Sequence, residues 1–275
     1  MEASMDPAIE YHQWKEEYRS TLETFSDKNV FMLFSGGKDS SLAMDFILRA
    51  KKEFGFDFKA HAGACPIHRY PDKEKKRIGS YWNKRGVNII WHDMMETDEY
   101  LENAPNPCVA CQKLRKKLLK SSLTTSIEDW SRLFIIINHS LWDIVSYSLE
   151  YILGELFSDF DHQANSKKNQ RFMQTAQRFY PLLKMKEGYT VFRPLIKYNS
   201  SSIKKGITQA GIPTLSISCK FKEFRPKRIL EKYYEKMGTR FNYKQVFDFA
   251  RRSLSLPDIT TYTSIDKDEY LLNLF

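Results

Sequence analysis

Five short apolar runs punctuate the chain, and between them apolar residues recur at helical spacing. Asn29–Phe34, Asp57–Ala64, Val87–His92, Arg132–Asn138 and Val191–Ile196 read as strands, the first and fourth apolar on both faces. The periodicity predicts helices over Asp39–Glu53, Asp72–Lys84, Pro105–Lys120, Leu141–Phe157 and Ser200–Ala210, the last stopped by Gly211. An earlier helix, Ala8–Phe25, carries a stripe of Ile9, Trp14, Leu22 and Phe25 that reads as a face packed on the core. From Ser158 to Tyr189 the pattern gives way to polar and basic residues, among them Asn165, Lys167, Lys168, Asn169 and Arg171, and reads as a long surface excursion. The tail from Phe224 to Leu254 is helical again, with Pro226 near its start and a break at Gly238.

Strands alternating with helices predict parallel βαβ units. Runs apolar on both faces predict a sheet covered on both sides. The expected fold is therefore α/β and Rossmann-like, a parallel sheet with helices on both faces. An N-terminal helical extension would occupy 1–28, the catalytic α/β unit 29–219 and a helical tail 220–275.

With 42% hydrophobic and 14% aromatic residues in 275, the chain has material for a sizeable core, which argues against global disorder. Lys plus Arg outnumber Asp plus Glu by 43 to 34, and the net charge of +9 points to a polyanionic partner, nucleic acid ahead of an acidic membrane. No stretch approaches eighteen apolar residues, which excludes a transmembrane helix. Residues Met1 to Tyr18 lack the basic head and apolar run of a signal peptide. Four cysteines are too sparse for a disulfide scaffold. The expected compartment is reducing and cytoplasmic, with no membrane partner, so the cysteines need another explanation.

Ser35-Gly-Gly-Lys-Asp-Ser40 lies directly between the first strand and the first sheet helix. At the carboxyl end of a parallel strand that is a ligand position. Two glycines let backbone N–H groups approach a phosphate, the helix N-terminus adds its positive end, and Ser35, Lys38 and Ser40 add hydroxyls and a cation. A chance glycine turn is the bland alternative, and the strand before and helix after outweigh it. The loop is too short for the G-x-x-x-x-G-K-[ST] spacing of a P-loop NTPase. Cys108 and Cys111, in Pro107-Cys-Val-Ala-Cys111, share one helix face where the N-terminus favours thiolates. By themselves they fit a buried small-residue pair, half of a zinc site or a redox pair.

The loop resembles the pyrophosphate loop of the N-type ATP pyrophosphatases, the PP-loop family. The resemblance implies that Ser35, Gly36, Gly37, Lys38, Asp39 and Ser40 bind ATP, which is cleaved between its α and β phosphates. It makes Lys38 and Asp39 the catalytic candidates, Asp39 also as a Mg2+ ligand. Together with Cys108-x-x-Cys-Gln-Lys-Leu-Arg115, Phe192-Arg-Pro-Leu-Ile196, Gly211-Ile-Pro-Thr and Cys219, the loop resembles one branch of that family, the tRNA 2-thiocytidine synthetases, over about 29–255. There three cysteines hold a [4Fe-4S] cluster, which implies Cys108, Cys111 and Cys219 as ligands here. Cys65 is a candidate fourth ligand or persulfide carrier, or a small buried residue near the nucleotide.

After the fourth strand the family shows Gly-His-Asn, a residue, then two acids; this chain has Asn138-His-Ser-Leu-Trp-Asp143. His139 and Asp143 are retained as nucleotide-site candidates, His139 with a packed core histidine as its alternative. Trp142 stands where the family has a carboxylate. The implied activity is adenylation of a tRNA pyrimidine carbonyl and its replacement by sulfur. A small heterocycle as acceptor and, in another class, a zinc-stabilised non-catalytic RNA-binding protein are the rivals. Basic runs after the cysteines (Lys113, Arg115, Lys116, Lys117 and Lys120; Lys220, Lys222, Arg225, Lys227 and Arg228) would flank a shared site and attract RNA phosphates. The sulfur donor is left open, as is pairing into a homodimer.

Overall fold

The computed structural model describes residues 7–157 and 175–271. Helix α1 (Tyr11–Leu22) buries Trp14, Tyr18 and Leu22 at a four-residue spacing, and the Trp14 indole donates to the Pro194 carbonyl at 3.0 Å. The described strands are β1 (Asn29–Leu33), β2 (Phe58–Ala64), β3 (Ile89–Asp93), β4 (Leu133–Ile136), β5 (Leu182–Lys184) and β6 (Thr190–Phe192). They form one six-stranded sheet in the order β3-β2-β1-β4-β6-β5, parallel except for β5 against β6. Phe31 of β1 is in register with Lys59 on one side and Ile135 on the other, so β1 is central.

Helices α2 (Lys38–Phe54), α3 (Asp72–Lys84), α4 (Asp98–Glu102), α5 (Pro107–Ser126), α6 (Leu141–Phe157) and α7 (Ser200–Gln209) connect or follow the strands. Val30 and Met32 pack into one core with Trp14, Phe46 and Ile203, while Phe31 packs into a second with Leu123, Ile135 and Val191. Alternate residues of one strand thus feed cores on opposite faces, the covered sheet expected from the runs. No helix among the described residues is long and apolar enough to cross a membrane.

The excursion expected from Ser158 to Tyr189 is corrected at its end. Residues 158–174 lie outside the described residues, but β5 and the start of the β5–β6 hairpin fall before Tyr189, and Leu183 is fully buried. Three strand residues are too few to show alternation. The last predicted strand ends early, at Phe192, because Pro194 has no N–H to continue a ladder. The tail divides at Gly238 into α8 (Pro226–Lys236) and α9 (Tyr243–Ser253), and short helices α10 (Ile259–Thr263) and α11 (Lys267–Glu269) follow. Tyr262 and Tyr270 anchor this end in the second core.

Candidate active site

The phosphate loop leaves β1 where the strand order reverses between β2 and β4, the crevice in which open α/β sheets bind ligands. Its geometry is set by its own hydroxyls. Ser40 Oγ donates to the Gly37 carbonyl at 3.1 Å and accepts from Ser35 N–H at 3.2 Å, and the two serine oxygens lie 3.1 Å apart. Gly36 has φ +66°, and a Cβ there would stand 2.7 Å from Leu215 Cγ. Glycine is required twice over, by the left-handed backbone and by the leucine packed against it. The Leu215 N–H donates to the Gly36 carbonyl at 2.8 Å, which ties the loop to the segment that carries Cys219.

Lys38 and Asp39 are half-buried and paired with each other. Lys38 Nζ lies 2.9 Å from Asp39 Oδ1 and 3.6 Å from Glu231 Oε1 of α8. Burial opposes the ammonium charge, but Asp39 and Glu231 outweigh it and raise its pKa. Glu231 is 7% exposed and its Oε1 also accepts from Ser200 Oγ at 2.5 Å. The C-terminal tail is therefore part of this site, which composition and spacing did not reveal. The available signal was helical period: Lys227 and Glu231, four apart, share a face with Leu230 and Tyr234.

Asp143 and His139 come to the same crevice. Asp143 is buried; its Oδ2 accepts from the Ser140 N–H at 2.8 Å and its Oδ1 pairs with Lys227 Nζ. Burial disfavours its charge, yet Lys227 holds its carboxyl well below the usual carboxylate range. His139 follows β4; burial, with Arg178 nearby, pushes its pKa well below the ordinary value, and its Nδ1 has no partner. Trp142 packs against the C-terminal tail. Its indole packs on Tyr234 and Phe241 and donates to the Lys227 carbonyl at 3.1 Å, so it anchors α8.

The four cysteines, from three segments, gather in one place. Cys65, Cys108 and Cys111 form a small buried cluster with Leu101 and Phe221, and Cys219 packs against it. Pro107 opens α5 and Asn106 Oδ1 caps it, accepting from the N–H groups of Cys108 and Val109 at 3.1 Å each, which sets both thiols at the helix start. Cys219 is placed from the other side. His68 Nδ1 lies 2.6 Å from Asp98 Oδ2, and His68 Nε2 accepts from the Lys220 N–H at 3.1 Å. Arg69 and Arg77 hold the carbonyls of Ile217 and Thr214.

Cys65 Sγ lies 3.5 Å from Cys111 Sγ. A hydrogen bond from Cys65, with Arg115, Arg225 and Arg69 nearby, pulls the Cys111 thiol below its ordinary value, while the same contact and burial push Cys65 up. The donor chemistry suits an iron–sulfur centre: thiols in an apolar pocket, with guanidinium groups to balance thiolate charge. As placed here, no three His, Cys, Asp or Glu side chains among the described residues form a group that could hold a metal ion.

The two basic runs meet, as they must once Cys108, Cys111 and Cys219 are neighbours, but not every member faces solvent. Lys220 is paired with Glu102 and Lys227 with Asp143, and Arg115, Lys116 and Lys120 are half-buried. Lys113, Lys117, Lys222 and Arg228 remain exposed.

No protein-family model matches the chain, and no curated protein matches it. Among solved structures it is similar to the U34-tRNA thiolase NcsA from Methanococcus maripaludis with its [4Fe-4S] cluster. That match has 16% identity and a TM-score of 0.56 over 90% of this chain and 81% of that one. It is also similar to NAD+ synthetase from Burkholderia pseudomallei (12% identity, TM-score 0.48, 93% and 94% covered). NMN synthetase from Francisella tularensis matches at 12% identity and a TM-score of 0.44, with 88% and 87% covered. At 16% identity the likeness to the thiolase establishes architecture: the chain has a Rossmann-like, PP-loop-like α/β fold with a mostly parallel sheet.

Proposed function

We propose that the chain is an ATP-using, AMP- and pyrophosphate-forming sulfurtransferase that adenylates a pyrimidine carbonyl of tRNA and exchanges its oxygen for sulfur. The observation that carries this reading is the meeting of Cys65, Cys108, Cys111 and Cys219 in one apolar cluster, tied to the phosphate loop through the Leu215–Cys219 segment. The fold shared with a tRNA thiolase that carries a [4Fe-4S] cluster supports it.

In this reading the N–H groups of the phosphate loop, Ser35, Ser40 and Lys38 hold the β and γ phosphates, and Asp39 presents oxygens to Mg2+. Lys38 then balances the charge of the departing pyrophosphate, while the crevice beside β4 orients the carbonyl oxygen toward the α phosphorus. Cys108, Cys111 and Cys219 would hold the cluster, which when bound supplies the sulfur nucleophile for the activated carbon. The protein's own contribution there is an apolar wall, Leu101 and Phe221, that keeps water from the adenylated carbon. The exposed lysines and Arg228 beside the thiols attract RNA phosphates.

Anaerobic purification with iron and sulfide analysis, joined to an ATP assay with and without bulk tRNA, tests the reading. The expected result is about four irons per chain and tRNA-stimulated release of AMP and pyrophosphate, abolished in Lys38→Ala and Asp39→Ala. Release of ADP and orthophosphate, or stoichiometric zinc with no iron, overturns it. Turnover of a free nucleoside with no tRNA affinity moves the acceptor to a small molecule.

A further inference from the structure

Helix α8 turns one face to the site and another to solvent. The inner face carries Glu231, 3.6 Å from Lys38, and Lys227, paired with Asp143, while Leu230 and Tyr234 pack against the second core. The outer face carries Arg228, Lys232 and Lys236 at four-residue spacing, each followed by an apolar residue: Ile229, Tyr233 and the helix cap Met237. Four-residue steps keep side chains on one side of a helix, about 6 Å apart along its axis. These are therefore two parallel stripes, one cationic and one apolar. Ile229, Tyr233 and Met237 are each more than half exposed, and the three cations are exposed beside them.

The outer face is charged in one sense only. Both carboxylates of the helix are engaged elsewhere, Glu231 with Lys38 and Ser200, Glu235 with Lys204 of α7 at 2.6 Å. Among the described residues Arg228, Lys232 and Lys236 form no ion pair. The complement of such a face is anionic along one edge and offers flat apolar surface along the other. A single nucleic-acid strand has that form, with phosphates beside the π-faces of its bases. A duplex does not, because its bases are stacked on one another and closed to Tyr233. A protein partner fits less well, since interfaces are poor in lysine and a stable one takes about 800 Å² from each side, more than three half-exposed side chains supply. The face also leads to the site: α8 follows the turn Lys222–Phe224, and the carbonyl of Phe221, just before it, lies 3.5 Å from Cys108 Sγ.

We infer that the outer face of α8 binds an unpaired RNA strand. The phosphates lie on Arg228, Lys232 and Lys236, and a base stacks on Tyr233 between Ile229 and Met237. The choice of RNA over DNA rests on the tRNA reading above; the face itself does not.

The test titrates the full chain with a short unstructured pyrimidine oligoribonucleotide, with a duplex of the same length and with bulk tRNA, binding being read by fluorescence anisotropy at several salt concentrations. Wild type should prefer the unpaired strand to the duplex. Tyr233→Leu should weaken that binding about tenfold, and Tyr233→Phe, which keeps the ring, should restore it. Lys232→Gln and Lys236→Gln should each lower the salt slope by about 0.7. Equal affinity in wild type and Tyr233→Leu overturns the proposal, as does a preference for the duplex. So does self-association in light scattering that Tyr233→Leu abolishes while no oligonucleotide binds. AMP release stimulated by tRNA, with tRNA affinity equal in wild type and Tyr233→Leu, removes this face and leaves the sulfurtransferase reading standing. Strand binding that depends on Tyr233, without AMP release, supports the face and overturns that reading.

Discussion

The carboxylate of Glu231 stands 3.6 Å from the Lys38 ammonium, so a helix nearly two hundred residues downstream reaches the phosphate loop. The same oxygen accepts the Ser200 hydroxyl at 2.5 Å, which holds it there. A triphosphate and this carboxylate compete for one ammonium. Glu231→Gln keeps the acceptor for Ser200 and removes the charge, so affinity for ATP or pyrophosphate should rise about fivefold to tenfold, equivalent to roughly 1 kcal/mol. Calorimetric titration of wild type and variant measures it. Weaker binding in the variant would mean that Glu231 positions Lys38 instead of occupying it.

Gly36 makes a stability prediction. Gly36→Ala places a Cβ 2.7 Å from Leu215 Cγ on a backbone with φ +66°. Overpacking and left-handed strain together should cost about 2–3 kcal/mol. The double variant Gly36→Ala/Leu215→Ala removes the clash and leaves the strain, so urea denaturation should show partial recovery. Equal midpoints for Gly36→Ala and wild type would refute the packing account.

Iron content separates the thiols. Cys108→Ser, Cys111→Ser and Cys219→Ser should each lose most of the iron while ATP binding is retained, because the phosphate loop belongs to another strand-to-helix turn. Cys65→Ser should keep the iron and its visible absorption, since three thiolates suffice in the arrangement proposed. Loss of iron in Cys65→Ser would make its 3.5 Å neighbourhood with Cys111 a ligand relationship and leave the cluster no vacant iron.

RNA binding should carry the signature of phosphate contacts. Lys117 and Arg228 are exposed on the two helices that bear or follow the cysteines. Charge reversal at either should weaken tRNA binding and lower the salt slope by about one or two, without altering ATP affinity. A slope identical to wild type in both variants would remove these residues from the interface.

How much of this was legible depends on what each feature needs. Val30, Phe31 and Met32 announce a central strand because both faces are buried, and α3 begins and ends at the predicted Asp72 and Lys84 because its period and its flanking Pro71 are local signals. The phosphate loop and the Cys108/Cys111 pair are likewise local. Glu231 is not: it is an ordinary charge in a polar sequence until the phosphate loop meets it. Cys65 joins the thiols because β2 ends beside α5, a fact of tertiary packing. Trp142 stands where the resembled family has a carboxylate, and only the fold shows that its indole docks α8.

A histidine pair across β2 and β3, His61 buried and His92 half-buried, gives the pH prediction. His61 of β2 and His92 of β3 stack with ring centroids 5.3 Å apart, and His61 Nδ1 lies 3.0 Å from His92 Nε2. Ser122 Oγ is 3.1 and 3.2 Å from those two nitrogens, and the Phe31 ring stacks on His61 with centroids 3.8 Å apart. Burial first, then His92 and Lys59, pushes the His61 pKa down to about 4. Unfolded, the ring titrates near 6.5, so as the pH falls the unfolded chain takes up the proton first. The contribution of His61 is therefore complete above about pH 6.5 and is lost progressively down to about pH 4, on the order of 3 kcal/mol in all. Other groups titrate across the same range, so the readout is a difference. Denaturation at pH 7 and pH 4.5 should show wild type losing about 2 kcal/mol more than His61→Gln, which has no proton to gain. Parallel losses in the two proteins would show that the pair bears protonation without cost, and that the proton it shares is already part of the folded state.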